Sequence, residues 1–286
     1  MASLTGGELR IGLGRSDIAL LHGRGWPRQR SHVLADACFA DAPGVDAVAE
    51  KLAQLLSESG CQGLPVRLVL ADEWTRSWIV TPPRNASRLG DCQAAVAARF
   101  QTLYGEPLTA WQVAADWHAR LPFLASALPQ ALATALRRVC AERQLVVLEI
   151  VPQFVAAWNR WSPALRRGHW FGLLQGTTLS LGAVSAGRLC ALRSLALPPS
   201  VDADPAWLRQ TVQREALRWM RTSPSGLQVC GALPELWSVP GPGDWSCSRL
   251  DREFVAGGQG TNAGAGAQAE AMAPSSVRLA ATGWRL

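Results

Sequence analysis

Several residue types and patterns are scarce in this sequence, and their scarcity excludes whole classes of protein. Lys51 is the only lysine among 28 lysine and arginine residues, and Tyr104 is the only tyrosine. No apolar run reaches the roughly 20 residues that a membrane-spanning helix needs. The first residues also lack the basic and apolar regions of a secretory signal. These absences predict a globular protein that does not span a membrane and that stays in the cytoplasm.

Metal and nucleic-acid binding patterns are missing as well. The seven cysteines are an odd number without a CxxC pair, and the four histidines have no ligand-like spacing. Such a pattern favours free thiols over a disulfide framework or a zinc site. The net charge is +6, but the arginines are scattered and do not alternate with aromatic residues. We therefore expect no metal and no nucleic-acid partner.

The most informative pattern that is present consists of two glycine-containing strand turns. The first turn lies in Ile11–Leu21, and the second lies in Phe171–Leu181. Each reads as strand, tight turn and strand. The turn residues are Gly12, Gly14, Arg15, Ser16, Gly176, Thr177 and Thr178. Two such hairpins half a chain apart predict a duplicated fold.

Hydrophobic periodicity and composition divide the chain into two lobes and a tail. We place the first lobe at residues 1–161 and the second at 162–256. Residues 257–286 are rich in glycine and alanine, and from Gly257 to Ser276 they hold almost no large apolar side chain. We therefore predict a disordered tail at 257–286. Its last ten residues regain apolar side chains, so they are either a frayed end or a short docking peptide.

Two adjacent acids lie between two predicted strands of the first lobe. Asp72 and Glu73 directly follow the predicted buried strand Val66–Ala71. Adjacent acids between two strands are typical of a solvated loop. We interpret both as loop charges.

The order of the predicted elements resembles the actin-like ATPase superfamily, and within it pilus-biogenesis proteins of the PilM and MshI type. The cytoplasmic domain of GspL-type secretion proteins is a more remote relative. Besides the two hairpins, the resemblance is carried by the strand–proline–helix step at Val147–Pro152 and by the late glycine turn at Leu227–Ala232. It covers Leu9 to Leu250. It implies an α/β protein with a two-lobe actin-like fold, which is a duplicated ribonuclease-H-like fold with mixed sheets.

Both turns depart from the pattern of the active members. Those proteins carry one aspartate in each turn, and these acids organise the magnesium ion that phosphoryl transfer needs. Here Leu13 and Gly14 occupy the first position, and Leu174 occupies the second. The resemblance then implies a remnant nucleotide pocket at the seven turn residues and at Gly231, with no catalytic residue, no metal and no cofactor.

The implied function is that of a catalytically inactive cytoplasmic scaffold in a type IV pilus or type II secretion-like assembly. It would bind the short cytoplasmic segment of an inner-membrane partner, either in the cytoplasm or peripherally at the inner membrane. One alternative is a weak ATPase or kinase in which Asp17, Asp116 or Glu149 replaces the missing acids. Another is a switch that binds ATP without hydrolysing it and neutralises the phosphates with Arg15 and Thr177.

Overall fold

The first lobe is built on a five-stranded mixed sheet. A computed structural model describes residues 7–24, 30–199, 204–239, 245–251 and 275–282. The strand order is β3-β2-β1-β4-β8, in which β2 runs antiparallel and β4 parallel to β1. The strands are β1 (Glu8–Leu13), β2 (Asp17–Arg24), β3 (Arg30–Cys38), β4 (Pro65–Leu70) and β8 (Val146–Pro152).

Two helices cover one face of this sheet, α1 (Val45–Ser59) and α3 (Gln130–Glu142). The apolar stripe of α1 faces inward because its members recur every three or four residues. They pack with the alternate side chains of β1, which are fully buried. Helix α1 ends at Gly60, whose φ of 65° is in the left-handed region that favours glycine at this position.

A small subdomain is inserted between β4 and α3. The subdomain contains β5 (Arg76–Val80), α2 (Leu89–Tyr104), β6 (Trp111–Ala115) and β7 (Phe123–Pro129). Its sheet has the order β5-β7-β6, and α2 packs on one side of it. The centre of its core is aromatic, with Trp78, Phe100 and Tyr104 in mutual contact.

The second lobe repeats the sheet of the first. Its strand order is β11-β10-β9-β12-β13, again with an antiparallel pair beside parallel strands. Helix α5 (Pro205–Arg218) covers the outer face. Asp204 caps its start, because the carboxylate accepts hydrogen bonds from the amides of Ala206 and Trp207. The strands are β9 (His169–Gln175), β10 (Thr178–Ser185), β11 (Arg188–Ala196), β12 (Gly226–Cys230) and β13 (Ser246–Arg249).

Two helices lie on the inner faces of the two sheets. Helix α4 (Gln153–Trp161) packs Phe154 and Ala157 against the inner face of the second sheet. Helix α6 (Ser275–Ala281) packs on β1 and β2 of the first sheet, on the face opposite α1. Leu279 of α6 is fully buried and clusters with Ala156 of α4, so the two helices also contact each other.

The tail prediction is wrong for its last described part. Residues 275–282 are not disordered but form α6, which contributes Val277, Leu279 and Ala280 to buried clusters. The physical reason is that the hydrophobic face needed to order this short helix belongs to a distant part of the chain. The other residues of 257–286 lie outside the described residues. Among the helices that the structure describes, none is long and apolar enough to cross a membrane.

Candidate functional site

The first predicted turn is a tight connection between β1 and β2. The amide of Gly14 donates to the carbonyl of Asp17 at 2.8 Å, and the indole of Trp74 donates to the carbonyl of Gly14 at 2.8 Å. Arg15 and Ser16 are exposed at the tip of the turn. The carbonyl of Gly14 is therefore already engaged, and the exposed tip is what remains for a ligand.

The carboxylate of Asp17 lies against Gly14 of the turn, and there it caps α6. Its two carboxylate oxygens accept the hydroxyl of Ser275 at 2.6 Å and the amide of Ser276 at 2.7 Å. An acid at a helix N-terminus satisfies amides that have no partner within the helix. Arg10 holds the other end of the same helix, where it donates to the carbonyl of Thr282 at 3.0 Å.

Gly12 is the point at which α6 touches the sheet most closely. A Cβ atom at this position would collide with the carbonyl oxygen of Ser276 and would lie 2.6 Å from the amide nitrogen of Ala280. Both are backbone atoms, so neither can rotate away. Glycine is therefore needed in β1 because a helix lies on it, and not because a phosphate does.

The second predicted turn joins β9 and β10 and stays exposed at its tip. Gly176 has a φ of 51°, and Thr177 accepts the amide of Leu197 at 2.8 Å through its carbonyl. Gly231, at the end of β12, has a φ of 111°, and a Cβ atom there would collide with the carbonyl oxygen of Leu174. The late glycine turn thus lies against the strand that leads into the second turn.

A cleft of about 580 Å³ opens between the inserted subdomain and the second lobe. Its walls come from β5, the end of α2, and the three strands β9, β10 and β11. Among the predicted site residues, only Thr178 lines it. The walls combine aromatic, aliphatic, hydroxyl and charged groups. They include Asp72, Arg76, Ser77, Trp78, Tyr104, Phe154, Thr178, Ser180, Leu192 and Ser194.

Asp72 lines this cleft and is partly buried, so its interpretation as a solvated loop charge is wrong. One carboxylate oxygen accepts the amide of Phe154 at 3.1 Å, and the other is 3.5 Å from the hydroxyl of Ser180. Asp72 therefore connects the first lobe with the first turn of α4 and with β10 of the second lobe. A sequence signal existed, because the residue directly follows a buried strand, and ligand sites in α/β sheets lie at such strand ends.

Burial changes the acidity of Asp72. It raises the pKa of the carboxyl group from 3.8 to about 7, because a buried site disfavours the charged form, although the Phe154 amide acts in the opposite direction. A carboxyl group with this pKa takes up and releases a proton at neutral pH. It is thus a candidate acid or base beside the second turn.

The three alternative acids named from the sequence are placed elsewhere. Asp17 caps α6, and Glu149 pairs with Arg67 at 2.7 Å on the edge of the first sheet. Asp116 lies at the end of β6 in the inserted subdomain. None of the three lines the cleft. Within the described residues, no group of three or more His, Cys, Asp and Glu side chains is arranged to hold a metal ion.

Sequence comparison finds neither a matching family model nor a matching curated protein. Similarity appears at the level of structure. A Bacteroides thetaiotaomicron protein with an actin-like ATPase fold and unknown function matches with a TM-score of 0.55 and 12% identity, over 80% of this chain and 83% of that chain. The PilM–PilN type IV pilus biogenesis complex matches with a TM-score of 0.54 and 14% identity, over 87% of this chain and 89% of that chain.

The cytoplasmic domain of EpsL, an inner membrane component of the type II secretion system of Vibrio cholerae, is also similar. The TM-score is 0.49 and the identity 14%, over 93% of this chain and 94% of that chain. At these identities the two matches above a TM-score of 0.5 establish the fold and leave function to be argued from the site. The resemblance and the fold class predicted from the sequence are confirmed: the protein has the actin-like ATPase fold.

Proposed function

We propose that this protein is a catalytically inactive actin-like scaffold of a type IV pilus or type II secretion-like assembly. It works at the cytoplasmic face of the inner membrane, where it binds the cytoplasmic segment of an inner-membrane protein. The observation that carries the proposal is the engagement of Asp17. This acid is the one nearest the first turn, and both of its carboxylate oxygens are used to hold α6.

The second turn supports the same conclusion. Leu174, which occupies the position of the second acid, is only 7% exposed and packs in the core of the second lobe. Phosphoryl transfer depends on metal and charge stabilisation at this place. An apolar side chain that is locked in a core supplies neither. The solved PilM–PilN complex, which has the same fold, supports a role in which the fold binds another protein.

The cleft has the chemistry that a peptide segment requires. Trp78 and Tyr104 provide aromatic walls, and Leu192 adds an aliphatic one. Thr178 and Ser194 line the same cleft and are accessible, and their hydroxyl groups can hydrogen-bond the backbone of an extended peptide. We assign the cleft as the site that receives the partner's segment.

Peptide binding is tested with synthetic cytoplasmic segments of inner-membrane pilus and secretion proteins, measured by fluorescence anisotropy. Ser194→Trp places a large ring on the cleft wall and is expected to weaken binding at least tenfold. Ser57→Trp, on the exposed surface of α1, is the matched control and is expected to leave binding unchanged. No binding by any such segment, or equal binding by both variants, contradicts the proposal.

A second candidate function, a weak ATPase or kinase, is favoured by one observation. Asp72 has a pKa of about 7 and lies 3.5 Å from Ser180 on the strand that follows the second turn. In this function Asp72 activates the attacking water or hydroxyl as a general base. The residue differs from the three acids that the sequence suggested for the same role.

Calorimetry with millimolar ATP, with and without magnesium, separates the candidates. The scaffold proposal predicts no heat of binding in either condition. Binding that needs magnesium, together with a turnover that Asp72→Asn abolishes, would establish the enzyme. Binding without magnesium and without turnover would establish the non-hydrolysing switch, in which Arg15 and Thr177 contact the phosphates.

A further inference from the structure

The end of α5 presents two large apolar side chains to water. Met220 is 92% exposed and Leu217 is 77% exposed, the highest fractions among the large apolar residues that the structure describes. The next highest, Val146, is 59% exposed. Single exposed apolar residues are common on protein surfaces, so exposure alone decides nothing. Two other features distinguish this place: the backbone conformation of Met220 and the charges around it.

Met220 occupies a backbone position that favours glycine. The amide of Arg221 donates to the carbonyl of Ala216 at 2.8 Å, and the amide of Met220 donates to the carbonyl of Leu217 at 3.0 Å. This pair of bonds is a Schellman motif, in which the residue directly after the helix C-cap adopts the left-handed conformation. Here that residue is Met220. Its φ of 49° is strained for a side chain with a Cβ atom. The fold gains little from a strained methionine that makes almost no contacts.

The exposed charges next to these two residues are all positive. Arg214, Arg218 and Arg221 are exposed: Arg214 lies one helical turn before Leu217 and Arg218 directly follows it, whereas Arg221 directly follows Met220 beyond the end of the helix. Glu215 is the only acid in α5, and its side chain is 6% exposed, with Arg193 at 3.7 Å and Arg218 at 3.6 Å. The buried acid therefore has two cationic neighbours, and the surface itself carries the positive charge.

We propose that this surface, the α5 end patch, docks onto an anionic lipid bilayer. The patch consists of Arg214, Leu217, Arg218, Met220 and Arg221. Leu217 and Met220 enter the boundary between headgroups and acyl chains, and the arginines contact lipid phosphates. An apolar tip surrounded by cations is the arrangement that binds membrane interfaces.

Charge and shape favour a bilayer over other anionic partners. A peptide needs a groove or a strand edge to lie against, whereas the patch protrudes, as the exposure of its two apolar residues shows. A nucleic acid would use the arginines but offers no apolar phase to Met220. The proposal is independent of the peptide cleft, because none of the five patch residues lines it.

The experiment is co-sedimentation of the full chain with large vesicles at about 0.1 M salt. One set of vesicles is pure phosphatidylcholine, and the other contains about one third phosphatidylglycerol. The wild-type protein is expected to bind only the anionic set. Arg214→Gln with Arg221→Gln is expected to weaken binding at least tenfold, since each arginine contributes about fivefold near an anionic surface. Arg84→Gln with Arg99→Gln, two exposed arginines of the inserted subdomain, is the charge-matched control.

Met220→Gly gives a readout that a purely structural role would not produce. Removing the strained side chain is expected to raise Tm by about 2–4 °C while it weakens vesicle binding severalfold. Leu217→Gln is expected to weaken binding as well. Leu89→Gln, at a residue that is 55% exposed on α2, is expected to leave binding unchanged. Absence of wild-type binding, equal losses in the controls, or a lower Tm in Met220→Gly overturns the proposal.

Discussion

The two lobes have the same sheet topology, but their inner faces are covered to different extents. Helix α6 lies directly on the first sheet, so that Gly12 has no room for a Cβ atom. Helix α4 covers only part of the second sheet and leaves the cleft of about 580 Å³ beside Ser180 and Leu192. A duplicated fold can therefore retain a ligand-sized space in one half while the other half is filled by the chain itself.

The largest expected effect comes from adding one methyl group to a strand of each lobe. Gly12→Ala pushes a Cβ atom into the backbone of α6 and is expected to lower the free energy of unfolding by about 3 kcal/mol or more. Gly172→Ala in β9 meets only flexible side chains, the nearest being Val229 at 3.2 Å, and is expected to cost about 1 kcal/mol or less. Urea denaturation measures both, and equal losses would show that α6 does not press on the first sheet.

The next effect is a pH dependence of stability that comes from Asp72, which lines the cleft beside the second sheet. Because the pKa of Asp72 is about 7 in the folded protein and about 4 when unfolded, the folded state binds more protons between these values. The contribution of Asp72 is therefore complete below about pH 4 and is lost as the pH rises through 7. The full difference in pKa corresponds to about 4 kcal/mol, which solvent screening of the partly exposed carboxyl group reduces to about 2 kcal/mol.

Asp72→Asn removes this titration. The stability of the wild-type protein should fall relative to that of the variant between about pH 5 and pH 8. Urea midpoints at several pH values measure the difference. Parallel pH profiles for the two proteins would show that the carboxyl group is not held in its neutral form.

The smallest effect compares the acidic caps of the two lobes. Asp17→Ala leaves the amide and hydroxyl at the start of α6 without partners in a buried place and is expected to cost about 2 kcal/mol. Asp204→Ala removes an exposed cap of α5 and is expected to cost about 1 kcal/mol. Thermal unfolding gives both values, and a larger loss for Asp204→Ala would reverse the assigned importance of the two caps.

The parts of the fold that follow from local pattern could be predicted from the sequence. The hairpin at Leu9–Leu13 and Ile18–His22 is formed by β1 and β2, and Gly60 ends the first helix. The late glycine turn expected at Leu227–Ala232 lies at the end of β12. Alternation, helical periodicity and glycine act over a few residues, so a sequence displays them directly.

The position of Asp72 at a strand end was a signal, but its partners and the formation of α6 could not be predicted because they depend on contacts between distant residues. The partners of Asp72, Phe154 and Ser180, are 82 and 108 positions away. A helix of seven residues is unstable alone, and α6 is ordered by β1 and β2. The local sequence shows that Asp72 follows an apolar strand and that apolar residues return near residue 277, but it does not show which distant residues they contact.

The position of α6 has a consequence for how the protein is made. Asp17 and Ser276 are separated by 259 residues, although their hydrogen bond closes the inner face of the first lobe. At about 5–20 residues per second, a ribosome needs some tens of seconds to cover this distance. During that time the apolar face that includes Leu21 and Val69 has no covering helix, and a chaperone can bind it. The lobe that is synthesised first is therefore completed last.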